Sequence, residues 1–183
     1  RIAVDLIDEV ARIAGYDQIP MTILSQPIPK QNPLPIIGLK RQVRNKLVGY
    51  GFQEIITYSL TSMDLLNKLK TIEQQVMDRL VGEPRLMRVS NPMTAEQEYL
   101  RPNLRAGLLT ALSSNRKFAE DGIRLFELGR VYLPRPNNLP DERETLCGLL
   151  NGPRLEKSWH GDNKQFDFFD AKGVVEGLLS QFG

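Results

Sequence analysis

The sequence predicts an α+β domain built around a mostly antiparallel sheet that helices cover. The first observation behind this prediction is a pair of segments, Ile123–Leu133 and Thr145–Leu150, which are rich in large apolar and β-branched residues. A polar loop that contains several prolines, residues 134–143, separates the two segments. Strand, loop and strand in succession indicate an antiparallel hairpin. The second observation is that amphipathic helical patterns precede and follow this hairpin, and these helices can cover the sheet.

The chain begins with a pattern typical of an amphipathic helix. Four apolar side chains recur on one helical face, and they are Leu6, Ile7, Val10 and Ile13. Asp5 stands at the expected N-cap with Asp8 three positions later, and Gly15 is a typical stop. We therefore predict a helix that is capped by Asp5 and ends at Gly15.

A proline-rich stretch follows this helix. Prolines recur from residue 20 to residue 35, and each one removes a backbone donor and fixes φ. The stretch can therefore form neither a regular helix nor a central strand. We predict that residues 1–19 end a small upstream domain, that residues 20–36 form a linker and that residues 37–183 form the main domain.

The main domain opens with a predicted helix and a predicted strand. Residues 38–48 have apolar side chains at helical spacing, such as Val43 and Leu47, with basic residues between them and glycines after them. Phe52–Leu60 follows directly and consists mainly of β-branched and aromatic residues that alternate between two faces. This pattern predicts a strand that is covered at least partly on both faces.

Four further elements are predicted along the chain. Residues 63–81 have the pattern of a polar helix and its connection, and Leu86–Val89 that of a short strand. Leu104–Phe118 shows the spacing of an amphipathic helix, and Ala171–Phe182 that of a last helix.

Composition excludes several classes of function. The chain has 183 residues, of which 41% are hydrophobic and 25% charged, as in ordinary globular proteins. Its net charge of +2 creates no global field that would hold it on nucleic acid or an anionic membrane. The single cysteine, Cys147, and the single histidine, His160, exclude a disulfide within the chain and the usual zinc sites. We expect a cytoplasmic protein, because the sequence contains neither a signal-peptide pattern nor an apolar run of membrane-spanning length.

Several motifs, in order along the chain, resemble one protein family. Asp5–Pro20 is similar to the segment that closes a small domain before the catalytic-like domain in bacterial phenylalanyl-tRNA synthetase β chains. Three later segments resemble the first half of that catalytic-like domain, and they are Gly49–Leu60, Val89–Leu104 and Arg124–Tyr132. Phe166–Glu176 continues the match, so the resemblance covers nearly the whole chain.

The resemblance implies a fold like that of class II aminoacyl-tRNA synthetases, of which this chain would hold an incomplete, N-terminal part. It also implies a phenylalanine-tRNA ligase that is a heterotetramer of two α and two β subunits in the cytoplasm. The α subunit would bind ATP, activate phenylalanine and attach it to tRNA(Phe). The β subunit would contribute packing surface and tRNA contacts, and its editing and anticodon-recognising domains are expected outside this segment.

One position argues that the chain has no catalytic residues. In working class II synthetases, an arginine at the end of the second-motif strand binds the ATP α-phosphate and the substrate carboxylate. The matching strand here ends in Leu133, followed by Pro134. Leucine cannot neutralise phosphate charge, so we expect this segment alone to be inactive.

Three acidic residues at the start of the chain form a candidate metal site. Asp5, Asp8 and Glu9 lie at i, i+3 and i+4 on one helical face, and their oxygens suit Mg²⁺. The spacing alone favours a plainer interpretation, in which the acids offset the helix dipole and Asp8 pairs with Arg12. The resemblance favours the metal, because these positions match Mg²⁺ ligands of the family, in a site shared with the α chain. A further aspartate of that pattern is expected just before Arg1.

A candidate subunit interface follows from the same resemblance. Residues 38–48 and Phe52–Leu60 match the first motif of class II synthetases, which makes subunit contacts. An apolar stripe at helical spacing more often packs in a core. We therefore predict that one face packs on the sheet, while Arg41, Arg44 and Tyr58 contact a partner subunit.

Three functions remain open on this reasoning. The first is a non-catalytic β-subunit segment that supports the α subunit, and the second is a stand-alone class II-like adenylating enzyme. The third is an RNA-binding module, which basic residues such as Lys40 and Lys46 would permit. Leu133 argues against the second function and the small net charge against the third.

Other charged residues also have two interpretations. Arg101 could contact a phosphate, or it could be a structural clamp on a neighbouring carboxylate. Glu142 and Glu144 could pose as a catalytic acid pair, but behind Pro140 and beside Arg143 we expect solvated loop charges.

Overall fold

The computed structural model describes residues 2–23, 25, 27, 32, 34–70, 86–119, 121–136, 138–155 and 164–182. The chain divides into two compact units, Arg1–Pro33 and Leu34–Gly183. Part of the predicted linker over residues 20–36 lies outside the described residues. None of the helices in the described ranges is long and apolar enough to cross a membrane.

The first unit contains helix α1 (Ala3–Ala14) and a 3-10 turn over Tyr16–Gln18. Ile2 is the N-cap, and the Asp5 carboxylate accepts a hydrogen bond from the Ile2 N–H at 2.9 Å. The prediction of Asp5 as the N-cap is therefore wrong. An acid at the third helical position can bond back to the N-cap amide, so the helix starts before the acid.

Helix α2 (Pro35–Gly49) opens the second unit. Proline at its first position explains why it begins before the predicted residue 38, since the fixed φ suits a first turn and no donor is lost. Gly51 then takes a φ of 80°, which lets the Phe52 N–H bond back to the Leu47 carbonyl at 3.0 Å. This turn places Phe52 in the core directly beside the end of α2.

The predicted strand Phe52–Leu60 is not continuous. Ladder pairing occurs only in two short strands, β1 (Gln53–Glu54) and β2 (Leu60–Thr61). The Ile55 N–H still bonds to the Phe126 carbonyl at 2.8 Å, but the Thr57 N–H bonds to the side chain of Glu127 at 3.2 Å. A side-chain acceptor has taken the place of a backbone carbonyl at Thr57, and the ladder of β1 stops before it.

The second short strand belongs to a separate small sheet. β2 pairs antiparallel with β3 (Tyr99–Leu100). The strand predicted at Leu86–Val89 is reduced to one isolated bridge between Arg88 and Tyr99.

The main sheet has three strands in the order β1, β4, β5. β4 (Ile123–Leu133) has the predicted bounds, whereas β5 (Asp141–Asn151) starts four residues before the predicted Thr145. β4 pairs in parallel with β1 and antiparallel with β5, and the antiparallel register joins Ile123 to Asn151 at one end and Leu133 to Asp141 at the other. The predicted α+β class with a mostly antiparallel sheet is confirmed.

Among its described residues, the second unit also contains the helices α3 (Met63–Lys68), α4 (Arg105–Asn115) and α5 (Phe168–Phe182). α3 is shorter than the predicted helix over residues 63–81, of which residues 71–81 lie outside the described part. α4 ends three residues before the predicted Phe118, and α5 starts three residues before the predicted Ala171.

The start of α5 is stabilised by two aspartates and one arginine. Asp167 accepts the Phe169 N–H, and Asp170 accepts the Asp167 N–H, both at 2.8 Å. Arg154 bonds to both carboxylates, at 2.7 Å to Asp167 and 2.8 Å to Asp170. The Asp167 N–H and then Arg154 hold the pKa of Asp170 below its ordinary value.

Side chains alternate along β4, so each face of the main sheet has its own core. Phe126 faces α2 and α5, in a buried cluster of Leu47, Phe52, Phe126 and Leu178. Leu125 faces α4 on the opposite side, in a buried cluster of Leu104, Leu108, Leu125 and Val131. The sheet is therefore a middle layer, with α2 and α5 packed on one face and α4 on the other.

We predict that Phe126→Ala destabilises the second unit strongly, because the Phe126 ring is fully buried at 0% exposure between the sheet and two helices. The expected loss is about 3–5 kcal/mol, from lost burial and the cavity left behind. Urea unfolding followed by circular dichroism measures it. Phe118→Ala is the control, because Phe118 is 84% exposed and should change stability by less than about 0.5 kcal/mol. Equal effects of the two variants would contradict this assignment of the core.

Candidate functional site

A buried ion pair lies between the main sheet and the segment that links β1 to β2. The Arg101 Nη1 is 2.6 Å from the Glu127 Oε1, and the two side chains are only 8% and 2% exposed. The Arg101 Nε donates to the Arg130 carbonyl of β4 at 2.8 Å. Of the two interpretations of Arg101, the structural clamp on a carboxylate is the one found.

Thr57 is the third member of this cluster. Its hydroxyl donates to the Glu127 Oε2 at 2.7 Å and accepts from the Arg101 Nη1 at 3.0 Å. Its N–H donates to the Glu127 Oε1 at 3.2 Å, and its carbonyl accepts from the Arg101 Nη1 at 3.3 Å. The backbone and side chain of Thr57 are thus both bonded to the ion pair.

Two glycines make room for the cluster. A Cβ at Gly107 of α4 would lie 2.3 Å from the Thr57 hydroxyl, and a Cβ at Gly129 of β4 would lie 2.5 Å from the Arg101 Nη2. Both contacts are far too short for a real side chain. The cluster therefore requires glycine on the helix and on the strand that enclose it.

The cluster offers no reactive group to solvent. Arg101 directs its donors at a carboxylate, a hydroxyl and two backbone carbonyls, and Glu127 accepts from Arg101 and twice from Thr57. A buried charge that is paired and hydrogen-bonded in this way acts as a fixed structural contact. Its chemical role is to hold β4, the Thr57 segment and the residues after β3 together.

The residues on either side of Thr57 point outward. Ile56 is 91% exposed and Tyr58 is 82% exposed, although both are large and hydrophobic in character. Ile55 packs against the core that faces α4, so inward and outward residues alternate from Ile55 to Tyr58 even without ladder pairing. Ile56 and Tyr58 thus form an exposed pair, which we call the Ile56–Tyr58 pair.

The predicted interface residues of α2 differ from each other. Arg44 is half-buried, and its Nε lies 2.6 Å from the Glu54 Oε1, so it joins α2 to β1. Arg41 is exposed and makes no ion pair with any described residue. Arg41 and Tyr58 are therefore open to a partner, whereas Arg44 is already engaged within the chain.

The outer part of the hairpin has a connected set of ion pairs. The Glu144 Oε1 is 2.5 Å from the Lys40 Nζ and 3.2 Å from the Arg130 Nε, and Glu142 is 2.9 Å from the Arg130 Nη1. The hydrogen bond from Lys40 is the main cause that lowers the pKa of Glu144. Glu144 in turn raises the pKa of Arg130, with Glu142 adding to the effect. Glu142 and Glu144 are paired with cations and lie in a strand, so the expected loop is wrong, but both residues are exposed as expected.

Leu133 lies at the last position of β4, where it pairs with Asp141. Its side chain is half-buried. Arg135 follows β4 and Arg143 belongs to β5, and each lies 2.7 Å from the Asp141 carboxylate. The hydrogen bond from Arg143 is the main cause that lowers the pKa of Asp141. The described arginines at this end of the hairpin are therefore bound to carboxylates.

The three candidate metal ligands on α1 each have a different partner. Asp5 accepts from the Ile2 N–H, Asp8 accepts from the Tyr16 hydroxyl at 2.6 Å, and Glu9 is 2.5 Å from the Arg12 Nη2. The bond to Asp8 raises the pKa of Tyr16. No three histidine, cysteine, aspartate or glutamate side chains in the described ranges are grouped to hold a metal. The predicted pairing of Asp8 with Arg12 is wrong, because Glu9 takes Arg12.

Cys147 and His160 were also considered as functional residues. Cys147 is half-buried beside the core that faces α4, and burial raises the pKa of its thiol. His160 lies outside the described residues.

Sequence reasoning did not identify Glu127 and Thr57 as a pair. One signal was available, because Glu127 lies between the apolar residues Phe126 and Leu128 in the middle of a predicted strand, and a buried carboxylate requires partners. Its partners are 26 and 70 positions away along the chain, so no local pattern could name them.

The comparisons with known proteins agree with this architecture. A sequence profile described as the phenylalanyl-tRNA synthetase beta chain CLM domain matches residues 19–183. The phenylalanine–tRNA ligase beta subunit of Dehalococcoides mccartyi is 48% identical over 98% of this chain, and that of Geobacter metallireducens is 37% identical over 98%. The chain spans only about a fifth of these relatives, 21% and 22% of their lengths.

A solved structure shares the fold. The pyrrolysyl-tRNA synthetase PylSc of Desulfitobacterium hafniense superimposes with a TM-score of 0.52 at 16% identity, over 79% of this chain and 43% of that protein. At this identity the likeness concerns the fold alone, which is that of a tRNA synthetase. Since the profile matches most of the chain, from residue 19 to residue 183, the chain belongs to the phenylalanyl-tRNA synthetase beta chain family, as a segment that includes its CLM domain.

Proposed function

We propose that this chain is a non-catalytic segment of the β subunit of a phenylalanine-tRNA ligase. Its task is to support the α subunit, which attaches phenylalanine to tRNA(Phe) with ATP in an α2β2 enzyme of the cytoplasm. Relatives over the whole chain carry the name beta subunit, which implies at least one other kind of subunit. In this proposal the chain contributes binding surface and no covalent chemistry.

The observation that carries the proposal is the Ile56–Tyr58 pair, with exposures of 91% and 82% on a segment bonded to a buried ion pair. Aromatic residues and arginines are the side chains most enriched at the centre of protein interfaces. Tyr58 and Arg41 supply one of each. Arg44 contributes indirectly, since its bond to Glu54 holds α2 beside β1.

The inactive character of the segment rests on Leu133. Transfer of an adenylyl group needs a cation at the phosphate that gains charge. The Leu133 side chain carries no charge. Arg130, Arg135 and Arg143 form ion pairs with carboxylates of the hairpin. The alternative function as a stand-alone adenylating enzyme is disfavoured for this reason.

The alternative function as an RNA-binding module is disfavoured by the engagement of basic side chains. Lys40 is bound to Glu144 and Arg44 to Glu54, while Lys46 lies over the Tyr50 ring at 5.2 Å. Phosphate contacts would have to replace these interactions. Contacts of the whole β subunit with tRNA(Phe) are compatible with the proposal.

Magnesium enters the proposal as an ion shared between α1 and the α subunit. Asp5, Asp8 and Glu9 offer exposed carboxylate oxygens, the donor type that Mg²⁺ prefers. They fit the ion in chemistry but are not grouped to hold it alone, since each bonds to its own neighbour. When bound, Mg²⁺ would draw these carboxylates and groups of the partner into one site and so strengthen the contact.

The interface is tested with Tyr58→Ala and Ile56→Ala in a full-length β subunit that carries this segment. We expect each variant to raise the Kd for the α subunit by about 30-fold, as loss of a central anchor costs about 2 kcal/mol. Analytical ultracentrifugation or surface plasmon resonance measures the Kd. Phe118→Ala, which removes another exposed aromatic, should leave the Kd unchanged. An unchanged Kd for both Ile56 and Tyr58 variants would refute the interface.

The absence of catalysis is tested by ATP–pyrophosphate exchange. We expect no phenylalanine-dependent exchange from the β subunit alone, because Leu133 is uncharged and the described arginines around it are bound to carboxylates. The same assay on the α2β2 enzyme is the positive control. Exchange by the isolated β subunit above background would favour the adenylating alternative.

The metal is tested with Asp8→Asn in the α2β2 enzyme. We expect Mg²⁺ affinity, measured by isothermal titration, to fall by about 10-fold or more, since even indirect partners of a metal site contribute about 10–100-fold. Asp17→Asn is the matched control, because Asp17 lies just beyond α1 and bonds only to Gln18 among the described residues. Equal affinities of the two variants would remove Asp8 from the site.

A further inference from the structure

We infer that the buried Arg101–Glu127 ion pair acts through Thr57 as a positioning device, which holds the Ile56–Tyr58 pair in the conformation that binds the α subunit. This inference rests on the proposed function, because it assumes that the Ile56–Tyr58 pair is the contact. It adds residues that would touch no partner atom, since Arg101 and Glu127 are almost completely buried.

The segment from Ile55 to Ser59 is fastened at every second residue. The Ile55 N–H bonds to the Phe126 carbonyl at 2.8 Å, and the Ser59 carbonyl accepts from the Arg101 N–H at 2.9 Å. Between them, Thr57 is bonded to the ion pair through its N–H, carbonyl and hydroxyl. Side-chain bonds thus replace a strand ladder in fixing this segment.

This fastening decides where Ile56 and Tyr58 point. The backbone is hydrogen-bonded at Ile55, Thr57 and Ser59, and the side chains of Ile55 and Thr57 face the interior. Successive side chains alternate along an extended backbone, so Ile56 and Tyr58 face the opposite side. Two large side chains that leave the same fastened segment keep a constant separation before any partner arrives. A surface held in its bound conformation loses less entropy on association, which raises affinity without adding a contact.

The Arg101–Glu127 ion pair is better suited to holding the Thr57 backbone in place than to stabilising the fold. Replacing a buried ion pair with apolar residues of similar volume is often neutral for stability, so the pair is not needed to fill the core. Charged hydrogen bonds are directional, and here three groups of Thr57 are aligned by them. Apolar packing at this place would fill the volume but leave the Thr57 backbone unaligned.

The partner surface is also constrained. Arg41 on the neighbouring helix α2 is exposed and makes no ion pair within the described ranges, whereas Lys40 and Arg44 have carboxylate partners. The complementary surface on the α subunit is therefore an apolar recess for the Ile56–Tyr58 pair with a carboxylate near Arg41.

The test uses a full-length β subunit with its α subunit and two variants of the clamp. Thr57→Val keeps the side-chain volume and removes the hydroxyl bonds, and the double change Arg101→Met with Glu127→Leu replaces the ion pair with apolar volume. We expect each to raise the Kd for the α subunit by about 10-fold. The double variant should unfold near the midpoint of the parent. Thr57→Val should unfold at a lower midpoint, because it leaves buried charged groups without two hydrogen bonds, so its Kd is measured where circular dichroism shows it folded. Amide exchange of residues 55–59 in the free β subunit should become faster in the double variant.

Thr110→Val is the control, because it makes the same change of side chain at an exposed position of α4, where the threonine hydroxyl bonds to the Ala106 carbonyl. It should leave the Kd unchanged. If Thr57→Val behaves like Thr110→Val while Tyr58→Ala still weakens binding, the positioning role is wrong and the interface stands. If Tyr58→Ala and Ile56→Ala have no effect either, the proposed interface fails and this inference fails with it. If the double variant does not fold, Thr57→Val decides between these outcomes.

Discussion

The ion pair between Arg101 and Glu127 ties together parts of the second unit that are distant in sequence. Glu127 is in the central strand β4, Arg101 follows β3, and Thr57 lies between β1 and β2. A charge at this depth is tolerated only when its partner is present, and loss of one partner costs about 3–5 kcal/mol. The glycines at 107 and 129 leave room for this contact, and the Thr57 N–H bonds to Glu127 just beyond the end of β1.

The same contact relates the fold to the function. The sheet has the architecture of a tRNA synthetase, shared with a solved pyrrolysyl-tRNA synthetase, and the described arginines near the Leu133 end of β4 are bound to carboxylates. Charges in the second unit serve instead to join elements, such as α2 to β5 through Lys40 and Glu144.

Much of the architecture could be predicted because its determinants are local. The bounds of β4 were predicted correctly, since large apolar and β-branched residues predominate from Ile123 to Leu133. α2, α4 and α5 were found from helical spacing, with errors of a few residues at their ends. The candidate interface residues came from the resemblance to a family, and their exposure came only from the structure.

By itself, the sequence determined the fold class, the hairpin, the helices and the absence of an arginine at Leu133. Hydrophobic periodicity, composition and residue identity are all properties of short stretches of the chain. Only the tertiary structure decided that the strand from Phe52 breaks, that Asp5, Asp8 and Glu9 have separate partners, and that Arg101 is a clamp. Each of these depends on which group forms the hydrogen bond with a given donor or acceptor in the folded chain. That competition is settled by side chains brought together from distant parts of the chain, as Glu127 is with Thr57.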